Sequence, residues 1–275
     1  MSGKMAVLPP DIFVCPAGQR APIGAPRRSY AATAAAGFGA LVVGHALAHH
    51  ALADDGIPPA LWLPALAAYL SASALVAALL IRHFPHGELG WCNVVTQARL
   101  AMVALLVTPL VAVAAGTGEG PAIAGGWAAV AVALAALSLD GVDGWLARRQ
   151  GLCSSFGARF DMEVDAGLAL VLALHALAAG AAGPAVLVLG LARYAFVAAT
   201  GLWPWLGGAL PERFSRKAVC VAQLSVLILL QVPGLPGLLA EGLTAMAALA
   251  LAWSFGHDIA WLRRARPCAA ERARA

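Results

Sequence analysis

Long apolar runs recur along nearly the whole 275-residue chain, and they limit its fold more than any other feature of the sequence. Hydrophobic residues make up 61% of the chain and charged residues only 12%. A helix of ~20 apolar residues is long enough to cross the hydrocarbon layer of a bilayer. The runs are rich in Ala, Leu, Val and Gly, which favours closely packed helices, and they lack the dyad alternation of a barrel. We therefore predict an all-α, polytopic membrane helix bundle.

Eight segments are predicted to span the membrane. They cover about residues 30–52, 61–81, 94–115, 123–145, a stretch that starts inside the acidic motif below and ends near 179, 185–202, 218–232 and 238–262. Residues 1–29 are rich in proline and lack the uninterrupted apolar core of a signal peptide, which predicts a loose cytoplasmic arm. Residues 263–275 form a basic tail.

Lysine and arginine sort to one side of these segments. The loops 53–59, 116–122, 180–184 and 233–236 contain neither residue, whereas the loops and termini on the other side are basic. The positive-inside rule then predicts that both termini are cytoplasmic, in a protein of the cytoplasmic (inner) membrane. The net charge of +4 therefore reflects orientation and does not indicate nucleic acid as a partner. The five cysteines are scattered and never form a Cys-x-x-Cys pair, which is typical of ordinary thiols.

Four carboxylates are concentrated in one short stretch of this weakly charged chain. Asp140 and Asp143 lie on one predicted helical face, and Asp161 and Asp165 lie one turn apart on the next helix. A glycine and a Cys-Ser-Ser run between the helices favour a short reversal. Two antiparallel helices joined in this way bring all four carboxylates to a common point.

This convergence needs a counter-charge. An ionised aspartate at the bilayer centre costs about 2.5–3.5 kcal/mol, so that four facing lipid cost roughly 10 kcal/mol, and like charges close together repel one another. Mg²⁺ or Mn²⁺ accepts carboxylate oxygens and keeps coordination positions open for phosphate. The stretch therefore predicts a metal site that receives a phosphorylated ligand.

The spacing Asp-x2-Asp-Gly-x2-Ala-Arg-x8-Gly-x3-Asp-x3-Asp resembles the signature of the CDP-alcohol phosphotransferase (CDP-alcohol phosphatidyltransferase) family of integral membrane enzymes. Every fixed position is matched, by Asp140, Asp143, Gly144, Ala147, Arg148, Gly157, Asp161 and Asp165. The resemblance implies a six-helix core over residues 91–262. It says nothing about residues 30–90, where we predict two extra transmembrane helices and an interfacial segment.

The resemblance also implies a reaction and roles for the matched residues. A phosphatidyl-like group moves from a CDP-linked lipid such as CDP-diacylglycerol to a small alcohol acceptor, with release of CMP, in phospholipid biosynthesis at the cytoplasmic face. The cofactor is Mg²⁺ or Mn²⁺, and the enzyme is often a homodimer among membrane lipids. The four aspartates ligate the metal, and Asp165 is also the general base. Arg148 contacts the nucleotide diphosphate, while Gly144, Ala147 and Gly157 shape the nucleotide pocket.

Two further groups of polar residues are candidates for the site. Asn93, Thr96 and Arg99 open the third segment at a spacing similar to a pattern in the first core helix of the family, near the nucleotide; a helix N-cap with an end anchor is the alternative. By analogy, Arg193, Arg216 and Lys217 bind the phosphate of a phosphorylated acceptor such as glycerol 3-phosphate or inositol phosphate, in preference to serine. The alternatives are a buried ion pair for Arg193 and a positive-inside anchor for the other two residues.

Other interpretations remain open at this stage. The aspartates alone are compatible with structural ion pairs to Arg148, Arg149 or Arg159, with an intramembrane prenyltransferase, or with a cation transporter. Prenyltransferases normally place their two acidic clusters in separate halves of the bundle, whereas Asp143 and Asp161 are expected in neighbouring helices. His45 and His49 have a spacing that suits a metal or haem, but no second pair accompanies them.

Overall fold

The structure is a computed structural model, and it describes residues 26–51, 59–83, 90–116, 126–150, 154–208, 210–211 and 213–272. These residues form eight α-helices and no strand. The helices are α1 (Pro26–Ala51), α2 (Leu63–His83), α3 (Trp91–Ala114), α4 (Gly126–Gln150), α5 (Ser155–Ala178), α6 (Leu187–Leu202), α7 (Phe214–Leu229) and α8 (Gly237–Arg272). Short 3-10 turns cover Pro59–Trp62, Pro184–Val186 and Pro204–Gly207.

Eight helices match the eight predicted segments, although several boundaries differ. The seventh begins at Phe214 rather than at residue 218, and the eighth continues to Arg272 instead of ending at 262. Parts of several predicted features lie outside the described residues. They include residues 1–25 of the arm, 84–89 of the interfacial segment, 123–125 of the fourth segment, 151–153 of the reversal and 273–275 of the tail.

Five helical segments of the described chain are long and apolar enough to cross a membrane. They are Ala60–Leu79, Trp91–Ala114, Gly126–Leu146, Pro184–Leu202 and Gly237–Ala265. A shorter apolar stretch covers Tyr30–Ala46. Helix α5 carries four charged residues in its first half, and α7 has only 16 residues. The chain is therefore a helical membrane protein, while the count of eight spans and the side of the termini stay predictions.

Helix α3 occupies the centre of the bundle. It packs against α1 and α2 on one side and against α4 and α5 on the other. The main apolar core is formed by residues of all six helices from α3 through α8, and its Leu168, Leu172 and Leu227 are fully buried. A smaller cluster of Leu41, Tyr69, Ala101 and Ala104 joins α1 and α2 to α3. The side chains of α3 are thus held from both sides.

Helices α5 and α6 approach each other closely at Gly190. A Cβ atom at this position would lie 2.9 Å from both the Cβ of Ala173 and the Cα of Leu170. Small residues allow such approach between membrane helices. This contact keeps α6 against the helix that carries Asp161 and Asp165.

Candidate active site

The four aspartates come together where α3, α4 and α5 meet. Asp140 and Asp143 lie near the C-terminal end of α4, and Asp161 and Asp165 lie in the first half of α5. Asp140, Asp161 and Asp165 each offer a carboxylate oxygen within 4.8 Å of the others. Asp143 is the most buried of the four, with 6% of its side chain exposed. The expected convergence of the carboxylates is therefore present.

Arg99 of α3 lies among these carboxylates and contacts all four. Its Nη1 is 2.9 Å from Asp140 Oδ1 and 3.0 Å from Asp143 Oδ2, and it also pairs with Asp161. Its Nη2 pairs with Asp165, and its Nε donates to the carbonyl oxygen of Ala136 at 3.1 Å. The Arg99 side chain has no exposed surface. Sequence reasoning grouped Arg99 with Asn93 and Thr96 but did not assign it to the acidic cluster.

Arg99 is not one of the arginines that the sequence suggested as ion-pair partners of the four aspartates. Among the side chains that the structure describes, Arg99 alone makes ion pairs with these four aspartates. Arg149 instead places its guanidinium 4.3 Å from the ring centre of Trp145. The side chain of Arg148 lies outside the described part of the chain. An arginine from a third helix, not from the motif itself, therefore partly balances the acids.

Thr96 and Asn93 place the start of α3 beside the same cluster. Thr96 Oγ1 lies 3.2 Å from Asp143 Oδ2 and 3.0 Å from the carbonyl oxygen of Cys92. Asn93 is buried, and its Oδ1 would lie 3.5 Å from a Cβ atom added at Gly157. Asn93 and Gly157 therefore face each other across the α3–α5 contact.

The beginning of α5 is fixed by a side-chain cap. Ser154 has an extended backbone, and its Oγ accepts a hydrogen bond from the backbone N–H of Gly157 at 3.0 Å. A capping serine of this kind contributes about 1 kcal/mol to helix stability. On α4, Gly144 is half-buried one turn after Asp140, and Ala147 continues the same helix with its side chain outside the described set. At Gly157 the helices approach closely, since an added Cβ atom would lie 3.2 Å from Ser154 Oγ and 3.5 Å from Asn93 Oδ1.

The three candidate acceptor residues lie on α6 and α7, and both arginines have acidic partners. Arg193 Nη2 donates to Glu163 Oε1 at 2.7 Å, but this is not the buried pair of the alternative, since the two side chains are 33% and 51% exposed. Arg216 uses Nε and Nη2 to contact the two oxygens of Asp258, at 2.9 and 3.0 Å. Lys217 is exposed.

Two further residues lie beside these candidates, and sequence reasoning did not select them. Arg213 Nη1 lies 3.4 Å from Oδ1 of the buried Asp258. Asp258, twenty residues into the long apolar run of α8, is the residue that a search for charges inside apolar runs would have found. Glu163, the partner of Arg193, lies between Asp161 and Asp165 in the sequence of α5, so Arg193 is paired with the helix that carries these two acids.

The donor set fits a divalent cation. Carboxylate oxygens are the ligands that Mg²⁺ and Mn²⁺ prefer, and three of them lie close enough to share one ion. One guanidinium cannot balance four carboxylates, so the cluster retains negative charge that favours a further cation. His45, by contrast, has both ring nitrogens in hydrogen bonds, to Leu41 O at 2.8 Å and to Thr108 Oγ1 at 2.5 Å. The side chain of His49 lies outside the described part of the chain.

The fold and this site define a polytopic helical membrane protein with an acidic centre enclosed by three of its helices. The sequence model of the CDP-alcohol phosphatidyltransferase family matches residues 89–256, and the chain belongs to this family. The match includes the four aspartates and Arg99, whereas α1 and α2 lie before it. Searches of curated proteins and of solved structures gave no match.

Proposed function

We propose that this protein transfers a phosphatidyl-like group from a CDP-linked lipid, CDP-diacylglycerol, to the hydroxyl group of a small acceptor and releases CMP. The observation that carries the proposal is the meeting of Asp140, Asp161 and Asp165 within the family region, beside the buried Asp143. The enzyme would act as a homodimer in the cytoplasmic membrane, with its site on the cytoplasmic side. Its product would be a phospholipid or phospholipid precursor.

Asp140, Asp143, Asp161 and Asp165 would hold Mg²⁺ or Mn²⁺. When bound, such an ion supplies neutralisation of the donor's diphosphate and polarisation of its phosphoryl oxygens. The chain's own contribution is to orient these carboxylates. Arg99 spans all four acids, and Thr96 is within hydrogen-bond distance of Asp143.

Asp165 is proposed as the general base. It accepts the proton of the acceptor hydroxyl while that oxygen forms a bond to the phosphorus distal to cytidine. The bond between this phosphorus and the bridging oxygen breaks, and CMP leaves with the bonding electrons. Asp165 is suited to this role because its side chain is 28% exposed, so that an acceptor can reach it from the open side of the cluster.

The nucleotide is proposed to lie against Asn93, Thr96, Gly144, Ala147, Arg148 and Gly157. Support comes from the position of Asn93 opposite Gly157 and from the contact of Thr96 with Asp143. Arg148, one turn after Gly144 on α4, would contact the diphosphate. A guanidinium pairs well with phosphate because it donates two parallel hydrogen bonds.

Arg193, Arg216 and Lys217 are proposed to bind the phosphate of a phosphorylated acceptor. Support for Arg193 is its ion pair with Glu163, on the helix that carries Asp161 and Asp165. Glu163 and Asp258 would hold the arginines in place when no phosphate is bound. Glycerol 3-phosphate and inositol phosphate are the acceptors to test first.

The test is an assay of the purified full-length protein with CDP-diacylglycerol, Mn²⁺ and a panel of acceptors that includes serine. We expect CMP and a new phospholipid with one acceptor. Asp165→Asn should lower kcat by about 10²–10⁴-fold, because the base is lost, and should leave CDP binding near the wild-type value. Glu241→Gln, which removes an exposed acid at the start of α8, is the control.

Other outcomes would contradict the proposal. Full activity of Asp165→Asn removes Asp165 from the role of base. Consumption of a prenyl diphosphate without CMP release indicates a prenyltransferase, and cation flux through proteoliposomes without CMP release indicates a transporter.

A further inference from the structure

Gln97 is the centre of a buried polar network that joins α1, α2 and α3. Its Nε2 donates to Tyr69 Oη and to Ser73 Oγ, both at 2.8 Å. Its Oε1 accepts from Tyr30 Oη at 3.2 Å. Gln97 has no exposed surface, and its partners are 1–5% exposed. A buried amide whose two N–H donors and carbonyl oxygen are all used in this way fixes the position of its helix.

The network continues into the backbone of α1 and α2. Tyr30 Oη also lies 3.0 Å from the carbonyl oxygen of Ser73, and Tyr69 Oη donates to that of Ala34 at 3.1 Å. Tyr69 lies directly against Gly37 of α1, where a Cβ atom would collide with the phenol oxygen. The two helices that precede the family region are thus bonded to each other as well as to Gln97.

Gln97 lies on the side of α3 turned away from the carboxylates. Successive residues of an α-helix are separated by 100°, so Thr96 and Arg99 lie within about 60° of each other, and Gln97 points well away from both. Thr96 and Arg99 contact the aspartates of α4 and α5, while Gln97 contacts α1 and α2. A rotation of α3 that broke the Gln97 contacts would therefore also withdraw Arg99 and Thr96 from the acids.

A second bond holds α1 against α3 further along. Nε2 of His45 accepts from Thr108 Oγ1 at 2.5 Å when Nδ1 carries the proton donated to Leu41 O. Thr108 lies about 16 Å along α3 from Gln97, at 1.5 Å per residue. Two attachment points at this separation restrict tilt as well as rotation of α3.

We propose that Gln97 is a positioning residue through which α1 and α2 set the rotation of α3 and so place Arg99 and Thr96 at the carboxylate cluster. The two helices before the family region are then part of the catalytic unit and not a separate module. This inference rests on the proposed metal site for its Mn²⁺ readout and on the proposed transfer reaction for its kinetic readout.

The test compares Gln97→Met with wild type in the full-length protein. Methionine has a similar length and removes the three hydrogen bonds of the amide. We expect the Kd for Mn²⁺, measured by electron paramagnetic resonance of the free ion, to shift by about 10-fold or more, because Arg99 both orients the carboxylates and competes with the ion for them. We also expect kcat to fall, with the KM for the acceptor near the wild-type value. If Gln97 only stabilises the fold, the substitution would lower the fraction of folded protein and leave the Kd for Mn²⁺ and the kcat of the folded molecules unchanged.

Gln231→Leu is the matched control. Gln231 is 3% exposed, and its Nε2 also donates two hydrogen bonds, to Leu172 O and Leu227 O, at a place remote from α1 and α2. This variant should lose comparable thermal stability and keep the wild-type Kd for Mn²⁺. Equal Kd values for Gln97→Met and Gln231→Leu would overturn the proposal.

If Gln97→Met does not fold, the double variant Tyr30→Phe and Tyr69→Phe removes the two phenol groups and keeps the amide. An unchanged Kd for Mn²⁺ in this variant would also overturn the proposal, and a shifted Kd would support it. Because Mn²⁺ binding needs no turnover, a wild-type protein that binds Mn²⁺ but releases no CMP refutes the proposed transfer reaction and leaves this test intact.

Discussion

Arg99 is the single cation that the described structure places among four carboxylates. Its ion pairs explain why four aspartates are tolerated where apolar helices meet. A partly buried carboxylate without a positively charged partner is poorly solvated, which lowers the stability of the fold. The planar guanidinium suits this place because it offers five donors in a fixed arrangement. Lysine would offer one compact charge and could not reach four separate carboxylates.

We expect Arg99→Leu to destabilise the protein by about 3 kcal/mol in EDTA, because it leaves partly buried carboxylates without their counter-charge. Saturating Mn²⁺ should recover part of this loss, since a divalent ion replaces the missing positive charge. Thermal unfolding in the two buffers measures both effects. Arg159→Leu, at an exposed arginine of α5, is the control. Similar melting temperatures for the two variants in EDTA would contradict this explanation.

At the scale of elements, the spacing of the aspartates predicted which faces of α4 and α5 carry the acids. This succeeded because helical periodicity determines the face directly. The spacing did not predict that α3 lies between these helices and packs more extensively on each than they pack on each other. Periodicity says nothing about which helix covers a face, so Arg99 could not be assigned to the aspartates from its position in the sequence.

Helix boundaries were also predicted only in part. The predicted end of the eighth segment followed the loss of apolar residues near 262, yet α8 continues to Arg272. Seven of the ten residues from 263 to 272 are arginine or alanine, which are strong helix formers, and the helix continues through this stretch although Pro267 lies in it. Hydropathy thus located the apolar part of this helix but not its end.

The α5–α6 contact at Gly190 gives a prediction at this scale. Gly190→Ala should lower thermal stability by about 1–3 kcal/mol, because the new methyl group meets the backbone of α5 as well as Ala173. Gly201→Ala is the matched control in the same helix, since nothing lies within 4 Å of its added Cβ. That variant should be neutral or slightly stabilising. Equal melting temperatures for the two variants would contradict this prediction, because they would mean that α5 and α6 can move apart to accept the methyl group at little cost.

At the scale of the whole molecule, two bonds show that α1 and α3 run in the same direction. Tyr30 contacts Gln97 near the start of both helices, and His45 contacts Thr108 further along both. Helices α1 and α3 are separated in the sequence by α2, so their parallel direction agrees with the prediction that successive segments cross the membrane in opposite directions. The start of α1 therefore lies at the end of the bundle that carries the aspartates.

Thiol labelling tests which side of the membrane this end faces. In a cysteine-free background, a membrane-impermeant reagent should label Gly183→Cys and Pro236→Cys in intact cells, because their loops lack basic residues. Arg264→Cys should react only after permeabilisation. Labelling of Arg264→Cys alone in intact cells would reverse the predicted orientation, and the site would then face away from the cytoplasm.

The sharing of one guanidinium by four acids has a consequence for any mutational scan of this protein. Residues with a common partner respond to substitution as one thermodynamic unit, so the effects of single changes do not add. Removing a second aspartate will cost more than removing the first, since less repulsion between carboxylates is then left to relieve. Single alanine substitutions will therefore each report on the whole cluster and not on one aspartate. Double-mutant cycles are needed to obtain the coupling energy of each pair.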